Sequence, residues 1–363
     1  MESACALNDG SVLFLRNTPE RSLVYDLWKV RTDPHTGRFL DSPQQLTHRD
    51  YKLKQISASP DAKEVVAVRD VNSHPNIYLA DLPPVHQDPR FNRIRRLTFS
   101  DADEYPHAWT PDSRSLIFES SVDGNSDLFR QDIDGSEPQP LVLSNRYKAL
   151  PRITPDGRWI LYNEQTPTNG WDVMRFPMKG GPAKLLLANQ PVQGEFACAL
   201  GARSRCVTRT VQNRQFVFWE LNPEGGKGRK LAKTAWSPAI VADWDISPDG
   251  SQVAIPNHDP RKATIRLVPL DARGGTSEKV VRVRTLRNLS GVVWAADGKG
   301  WYVAVSEANR GVLYYVDLEG RVRTSLMDSM TATYAVPSPD GRHVAFADWT
   351  VSANVWEMEI PRL

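Results

Sequence analysis

Ser338-Pro339-Asp340-Gly341 recurs along the chain as Ser247-Pro248-Asp249-Gly250 and Thr154-Pro155-Asp156-Gly157. Each copy follows a few small or apolar residues and leads into an apolar, alternating segment. Proline presets φ for a type I turn, the aspartate accepts local backbone N–H bonds, and glycine tolerates positive φ where the chain reverses. Asn8-Asp9-Gly10 and Ala296-Asp297-Gly298 keep the Asp-Gly part of this geometry. The motif therefore reads as a tight turn between two strands.

The turn aspartates are Asp9, Asp61, Asp112, Asp156, Asp249, Asp297 and Asp340, with one wide gap. Ala197-Cys198-Ala199-Leu200 repeats Ala4-Cys5-Ala6-Leu7 inside that gap and puts Ala202 where an aspartate is expected. Successive spacings are then 52, 51, 44, 46, 47, 48 and 43 residues, the range of four-stranded propeller blades. The expectation is one all-β propeller over residues 1–363 with about eight blades, or seven if the terminal unit fails to close. The units run about 1–47, 48–98, 99–143, 144–188, 189–232, 233–283, 284–327 and 328–363.

Within a unit, a first strand enters the turn (Tyr105 to Thr110) and a second leaves it, as in Trp159-Ile160-Leu161-Tyr162. The third strand is the most regular: Asn76-Ile77-Tyr78-Leu79, Asp127-Leu128-Phe129-Arg130, Phe216-Val217-Phe218-Trp219, Val312-Leu313-Tyr314-Tyr315 and Asn354-Val355-Trp356-Glu357 are examples. The fourth is short and basic or polar (Gln45-Leu46-Thr47, Arg96-Leu97-Thr98, Lys230-Leu231-Ala232), which suits a solvated outer edge. Eight sets of the first three strands meet only seven fourth strands. One expectation is that upstream residues of a longer protein supply the missing strand.

Lys+Arg number 45 against Asp+Glu 43 in 363 residues, a net charge of +2. That balance gives no reason to expect nucleic acid or an anionic membrane as partner. No apolar run approaches the roughly 18 residues of a membrane span, and Met1-Glu2-Ser3-Ala4-Cys5 has neither the basic start nor the apolar core of an export signal. Three cysteines are too few for a disulfide-built scaffold.

The sequence carries no recognisable catalytic or metal-binding motif. No Gly-x-Ser-x-Gly elbow occurs, and Ser247 and Ser338 belong to repeated turns with no single base beside them. The seven histidines show no His-x-x-x-His spacing, and Cys-x-x-Cys is absent. Asp123-Gly124-Asn125-Ser126-Asp127 opens like a calcium loop, but Leu128 and Asp134 stand where glycine and glutamate are needed, so it reads as a hairpin turn. The basic runs Arg90, Arg93, Arg95, Arg96 and Arg282, Arg284, Arg287 read as solvated outer strands. No metal or cofactor is expected.

Cys198 and Cys206 lie four residues either side of Ala202. They are either a cross-strand disulfide replacing the missing aspartate or two buried thiols. The candidate binding surface comes from topology. Tyr51, Tyr105, Tyr147, Trp171 and Trp236 are expected in connecting loops at one end of the ring, where aromatics with polar tips favour binding. On first strands the fourth and fifth positions before the aspartate are mostly apolar or small, and His107, Arg152 and Asp245 depart from that pattern. They are expected to form a polar cluster at the channel mouth. The long connections 31–43 and 83–93 decorate the opposite end as a rival surface.

With Asp127-Leu128-Phe129 and Asn76-Ile77-Tyr78 added to the Ser/Thr-Pro-Asp-Gly turns, the chain resembles TolB-like, WD-repeat-like propeller repeats. It also resembles the C-terminal propellers of bacterial multidomain serine/threonine kinases and winged-helix regulators. The resemblance implies a non-catalytic module that binds a protein or small ligand, serving as sensor or scaffold of a larger bacterial protein. By the same resemblance its place is periplasmic or extracytoplasmic. A lyase or hydrolase acting at the channel mouth is the alternative.

Overall fold

The computed structural model describes residues 3–18, 21–47, 52–59, 64–70, 74–82, 92–100, 102–122, 125–190, 196–201, 204–236, 244–257, 263–271, 277–287, 289–307, 310–329, 333–349 and 353–359. Every regular element among them is a β-strand. The chain forms two compact units, Met1–His74 with Thr350–Leu363, and Pro75–Trp349.

In the first unit, β1 (Ala4–Ala6), β2 (Ser11–Thr18), β3 (Arg21–Arg31) and β4 (Gln44–Gln45) form one antiparallel meander. β5 (Lys52–Ala58) and β6 (Glu64–Asp70) begin a second sheet. Leu13, Leu15 and Leu27 of the meander pack on Ile56, Val65 and Ala67 of the second sheet.

The second unit starts with β7 (Pro75–Asp81) and β8 (Asn92–Arg96). Five sequential four-stranded sheets follow: β9 (Asp103–Trp109), β10 (Ser115–Val122), β11 (Asn125–Asp132), β12 (Gln139–Val142); β13 (Lys148–Ile153), β14 (Trp159–Gln165), β15 (Trp171–Pro177), β16 (Lys184–Gln190); β17 (Phe196–Cys198), β18 (Cys206–Gln212), β19 (Gln215–Asn222), β20 (Gly226–Ala235); β21 (Asp245–Ile246), β22 (Gln252–Asn257), β23 (Thr264–Pro269), β24 (Lys279–Arg282); and β25 (Leu289–Trp294), β26 (Gly300–Glu307), β27 (Arg310–Asp317), β28 (Val322–Ser329). The unit ends with β29 (Thr333–Pro337) and β30 (His343–Trp349), and β31 (Ala353–Glu359) returns to the first unit.

Strand pairing departs from repeat order at one place. The third strand around Asn76–Leu79 was expected beside β6, but β7 pairs with β30, from Pro75 opposite Trp349 to Asp81 opposite His343. β31 takes the vacated place on β6. Two repeats thus exchange their third strands, which their shared alternation permits, and β8 completes the sheet β29-β30-β7-β8. The exchange ties the two ends of the second unit together. The described residues make eight sheets, seven of four strands and one of three.

Six apolar clusters sit between the six sheets of the second unit, one at each junction. Ile77, Leu79 and Ala345 pack on Trp109 and Phe118. Ala108 and Ile117 pack on Ile160 and Tyr162, and Leu161 and Val173 on Phe196 and Cys206. Val207 and Phe218 meet Ile246 and Val253, and Ala254 and Ile265 meet Trp294 and Trp301. Tyr302 and Leu313 meet Val344 and Phe346 and close the cycle. This unit is therefore a closed ring of six sheets. Second strands read as near-continuous apolar runs because both faces are covered: Leu116 and Phe118 face one neighbour and Ile117 the other.

The turns behave alike. Asp9, Asp112, Asp156, Asp249, Asp297 and Asp340 each accept, through Oδ1, the N–H two residues on at 2.9–3.1 Å. Where Ser or Thr precedes, its hydroxyl also donates to that oxygen, as from Ser247 to Asp249 at 2.6 Å. The following residue lies at positive φ, 71° in Gly250. Asp61 lies outside the described residues. These six described aspartates act as turn residues.

Candidate functional site at the inner strands

First strands carry bulges that re-aim side chains. In β9, Ala108 stands opposite Ile117 and Pro106 opposite Phe118, which leaves His107 as the extra residue. Its imidazole is buried, with Nε2 3.3 Å from Oε1 of Glu119 in β10. Burial lowers the His107 pKa, with the Glu119 charge acting against that. Glu119 is itself buried, and its Oε2 accepts the N–H of Leu150 in the next sheet at 3.3 Å. Leu150 has a φ of 55° within the β13 bulge.

That bulge positions Arg152. Its Nη1 donates to the His107 carbonyl at 3.3 Å and to the Pro151 carbonyl at 3.1 Å. Asp245 opens β21, where Oδ1 accepts the Ile246 N–H at 2.9 Å and Oδ2 accepts the Trp294 N–H of β25 at 2.8 Å. Burial pushes the Asp245 pKa up to about 6, opposed by the Trp294 bond and by the Arg152 charge. Arg152 thus acts electrostatically on both His107 and Asp245.

The three departures from the apolar pattern therefore fall within one electrostatic neighbourhood, with one correction. His107 does not line a surface. It lies under the wall and holds Arg152 through its carbonyl, while Arg152 and Asp245 keep partial exposure. Sequence reasoning missed Glu119. The available signal was a carboxylate ending the apolar run Leu116-Ile117-Phe118 in the middle of a second strand.

The aromatic set is divided. Tyr147 and Trp171 meet edge to face with ring centroids 6.1 Å apart. Tyr105 is within β9, opposite Glu119, rather than in a loop. Trp236 packs on the cluster containing Phe218 and Trp244. Tyr51 lies outside the described residues. Asp123 and Gly124 do too, and Asp127 of the same loop binds Nζ of the fully buried Lys148 at 2.6 Å. Among the described residues no three His, Cys, Asp or Glu side chains are grouped to hold a metal ion.

Cys198 and Cys206 stand directly opposite in β17 and β18 and form a disulfide. Of the two expectations for this pair, the structure holds the bonded form. The turn between them also uses its neighbour: Gly201 N–H and the Ser204 hydroxyl donate to the Pro248 carbonyl at 2.9 and 3.0 Å.

Residues 44–193 match the family described as the TolB beta propeller domain. Over that stretch the chain is similar to TolB-type propeller repeats. A TolB-assigned structure from Agrobacterium tumefaciens shares 15% identity at a TM-score of 0.57, covering 76% of this chain and 98% of that one. TolB from Acinetobacter baumannii shares 16% identity at a TM-score of 0.33, covering 97% of this chain and 67% of that one. Among curated relatives, uncharacterized protein Atu1656 of Agrobacterium fabrum is 21% identical over 214 residues, 57% of this chain and 54% of the relative. The chain thus spans about half the length of that relative. At these identities the likeness speaks for the TolB-type fold.

Proposed function

We propose that the six-sheet unit is a non-catalytic binding module, and that a protein or small ligand engages its inner-strand wall at Arg152 and Asp245. The carrying observation is the placement of Arg152, whose guanidinium is fixed by the His107 carbonyl while its charge acts on Asp245. A cation held on a wall that is elsewhere apolar or small discriminates strongly between ligands, because a charge facing the wrong partner is costly to desolvate. His107 and Glu119 are positioning residues in this reading. The sensor or scaffold role in a larger bacterial protein and an extracytoplasmic place belong to the same proposal, on the strength of the TolB-type repeats.

The test is partner capture from a bacterial extract by wild-type chain and by Arg152→Ala, each with a melting curve. Captured partners lost from the variant at an unchanged Tm support the reading. A second reading, an acid–base centre, is favoured by the Asp245 pKa of about 6, which suits proton transfer near neutral pH. Turnover of a glycoside or peptide substrate, abolished by Asp245→Asn, would select that reading.

A further inference from the structure

The first strands of the six-sheet unit neighbour one another around the cycle, from β9 through β13, β17, β21, β25 and β29 back to β9, and so form the inner wall of the ring. Each enters its turn through the same closing bond, donated by the N–H of Thr110, Thr154, Ala199, Ser247, Ala295 or Ser338 to a carbonyl at the start of the second strand. Two residues before each donor, the first strand pairs with the second: Ala108 with Ile117, Arg152 with Leu161, Ala197 with Val207, Asp245 with Ala254, Val293 with Tyr302 and Val336 with Ala345. Ala108, Arg152, Ala197, Asp245, Val293 and Val336 therefore stand at one level of the wall.

Two members of this level are charged, and their signs are opposite. Ala108 and Ala197 are buried, whereas Arg152, Asp245, Val293 and Val336 keep partial exposure. Ala197 belongs to the sheet between those of Arg152 and Asp245, so a small side chain separates the two charges at this level. The Arg152 guanidinium is anchored on the carbonyls of His107 and Pro151. Each oxygen of Asp245 accepts one backbone N–H, from Ile246 and from Trp294. An ionised carboxylate offers about four acceptor sites, which leaves room on Asp245 for a further donor. The Arg152 charge does not offset the cost of burying this carboxylate, since its pKa still rises to about 6, and a cation brought to Asp245 relieves what remains of that cost.

We infer that this level binds a small zwitterion of the amino-acid class, its carboxylate on Arg152, its ammonium on Asp245 and its alkyl spacer against the alanine and valine members. This ligand class presupposes the Arg152–Asp245 wall proposed above. A ligand with a single charge leaves the opposite charge of the level unmatched, so selectivity comes from carrying both.

The probes are glycine, β-alanine, 4-aminobutyrate, 6-aminohexanoate and 8-aminooctanoate, each beside the carboxylate and the amine of matching length. They are titrated calorimetrically into the full chain at pH 7.5, where Asp245 is ionised. One spacer length is expected to bind best, with both single-charge analogues about tenfold or more weaker. Arg152→Ala should erase the preference for the zwitterion over the amine, and Asp245→Asn the preference over the carboxylate, each at an unchanged Tm. That crossed pattern separates lost ligand contacts from lost folding. The ligand class is overturned by the absence of saturable binding across the series, by equal affinity for zwitterion and single-charge analogues, or by variants that weaken all probes alike. Any of these results beside Arg152-dependent partner capture leaves the wall standing and discards only the zwitterion. Where capture also proves independent of Arg152, the wall itself falls.

Discussion

The turn at Ser247–Gly250 and the turn between Cys198 and Cys206 join first and second strands of adjacent sheets, and different chemistry holds each of them shut. In the first, Asp249 accepts the Ser247 hydroxyl at 2.6 Å and the Ser251 N–H at 3.0 Å. In the second, no aspartate is present, and a disulfide joins the strands while Gly201 and Ser204 lean on the Pro248 carbonyl next door. A local carboxylate closes one hairpin, and a disulfide together with hydrogen bonds to a neighbour's carbonyl closes the other.

The largest effect should come from removing the covalent closure. Cys198→Ser with Cys206→Ser should cost about 2–3 kcal/mol, the chain-entropy value for a loop this short. Urea unfolding of oxidised wild type and variant measures it, and reductant should bring wild type to the variant's midpoint. A difference below about 0.5 kcal/mol would mean the Pro248 contacts alone suffice. Gly201→Ala comes next, because its Cβ would lie 2.7 Å from the Pro248 oxygen. A loss of about 2 kcal/mol is expected from such overpacking, and none is expected from Gly37→Ala for want of space, since nothing lies within 4 Å of the added Cβ there. Only the strain of the Gly37 positive φ would register in that control.

At the carboxylate-closed turn, Asp249→Ala should cost about 1.5 kcal/mol through loss of charge-assisted bonds. An unchanged midpoint would show that proline and glycine alone close this hairpin.

Much of this architecture is legible in the sequence. The turn spacing set the frame of the strands. The exchange of β7 and β31 was not legible, because repeats with the same alternation carry no label saying which second strand each third strand will join. Period-two patterning fixes faces, not partners. The grouping of Arg152 with Asp245 was legible as polar residues in an otherwise apolar register. The burial of His107 was not, since a one-residue bulge redirects the side chain and leaves no mark in composition.

The smallest effect contrasts Asp245 with Asp249, four residues apart. For Asp249 burial opposes ionisation, but the Ser247 and Ser251 bonds outweigh it and hold the pKa below the usual carboxylate range. For Asp245 burial dominates, and the pKa rises from 3.8 to about 6. Between those two values the folded chain binds more protons at Asp245 than the unfolded chain does, so this residue's contribution is fully present below pH 3.8 and lost as pH rises through 6. Asp245→Asn should therefore gain on wild type across that window, on the order of 1 kcal/mol. Stability curves of both proteins from pH 3.5 to 7.5 check this, and parallel curves would contradict it.

The measurement that bears most directly on the binding wall is capture by Arg152→Ala beside wild type, with Tm recorded for both. The account predicts that partners held by wild type are lost while Tm moves by less than about 1 °C, a shift that corresponds to less than about 1 kcal/mol in a chain of this size. Full capture by the variant at an unchanged Tm would contradict it.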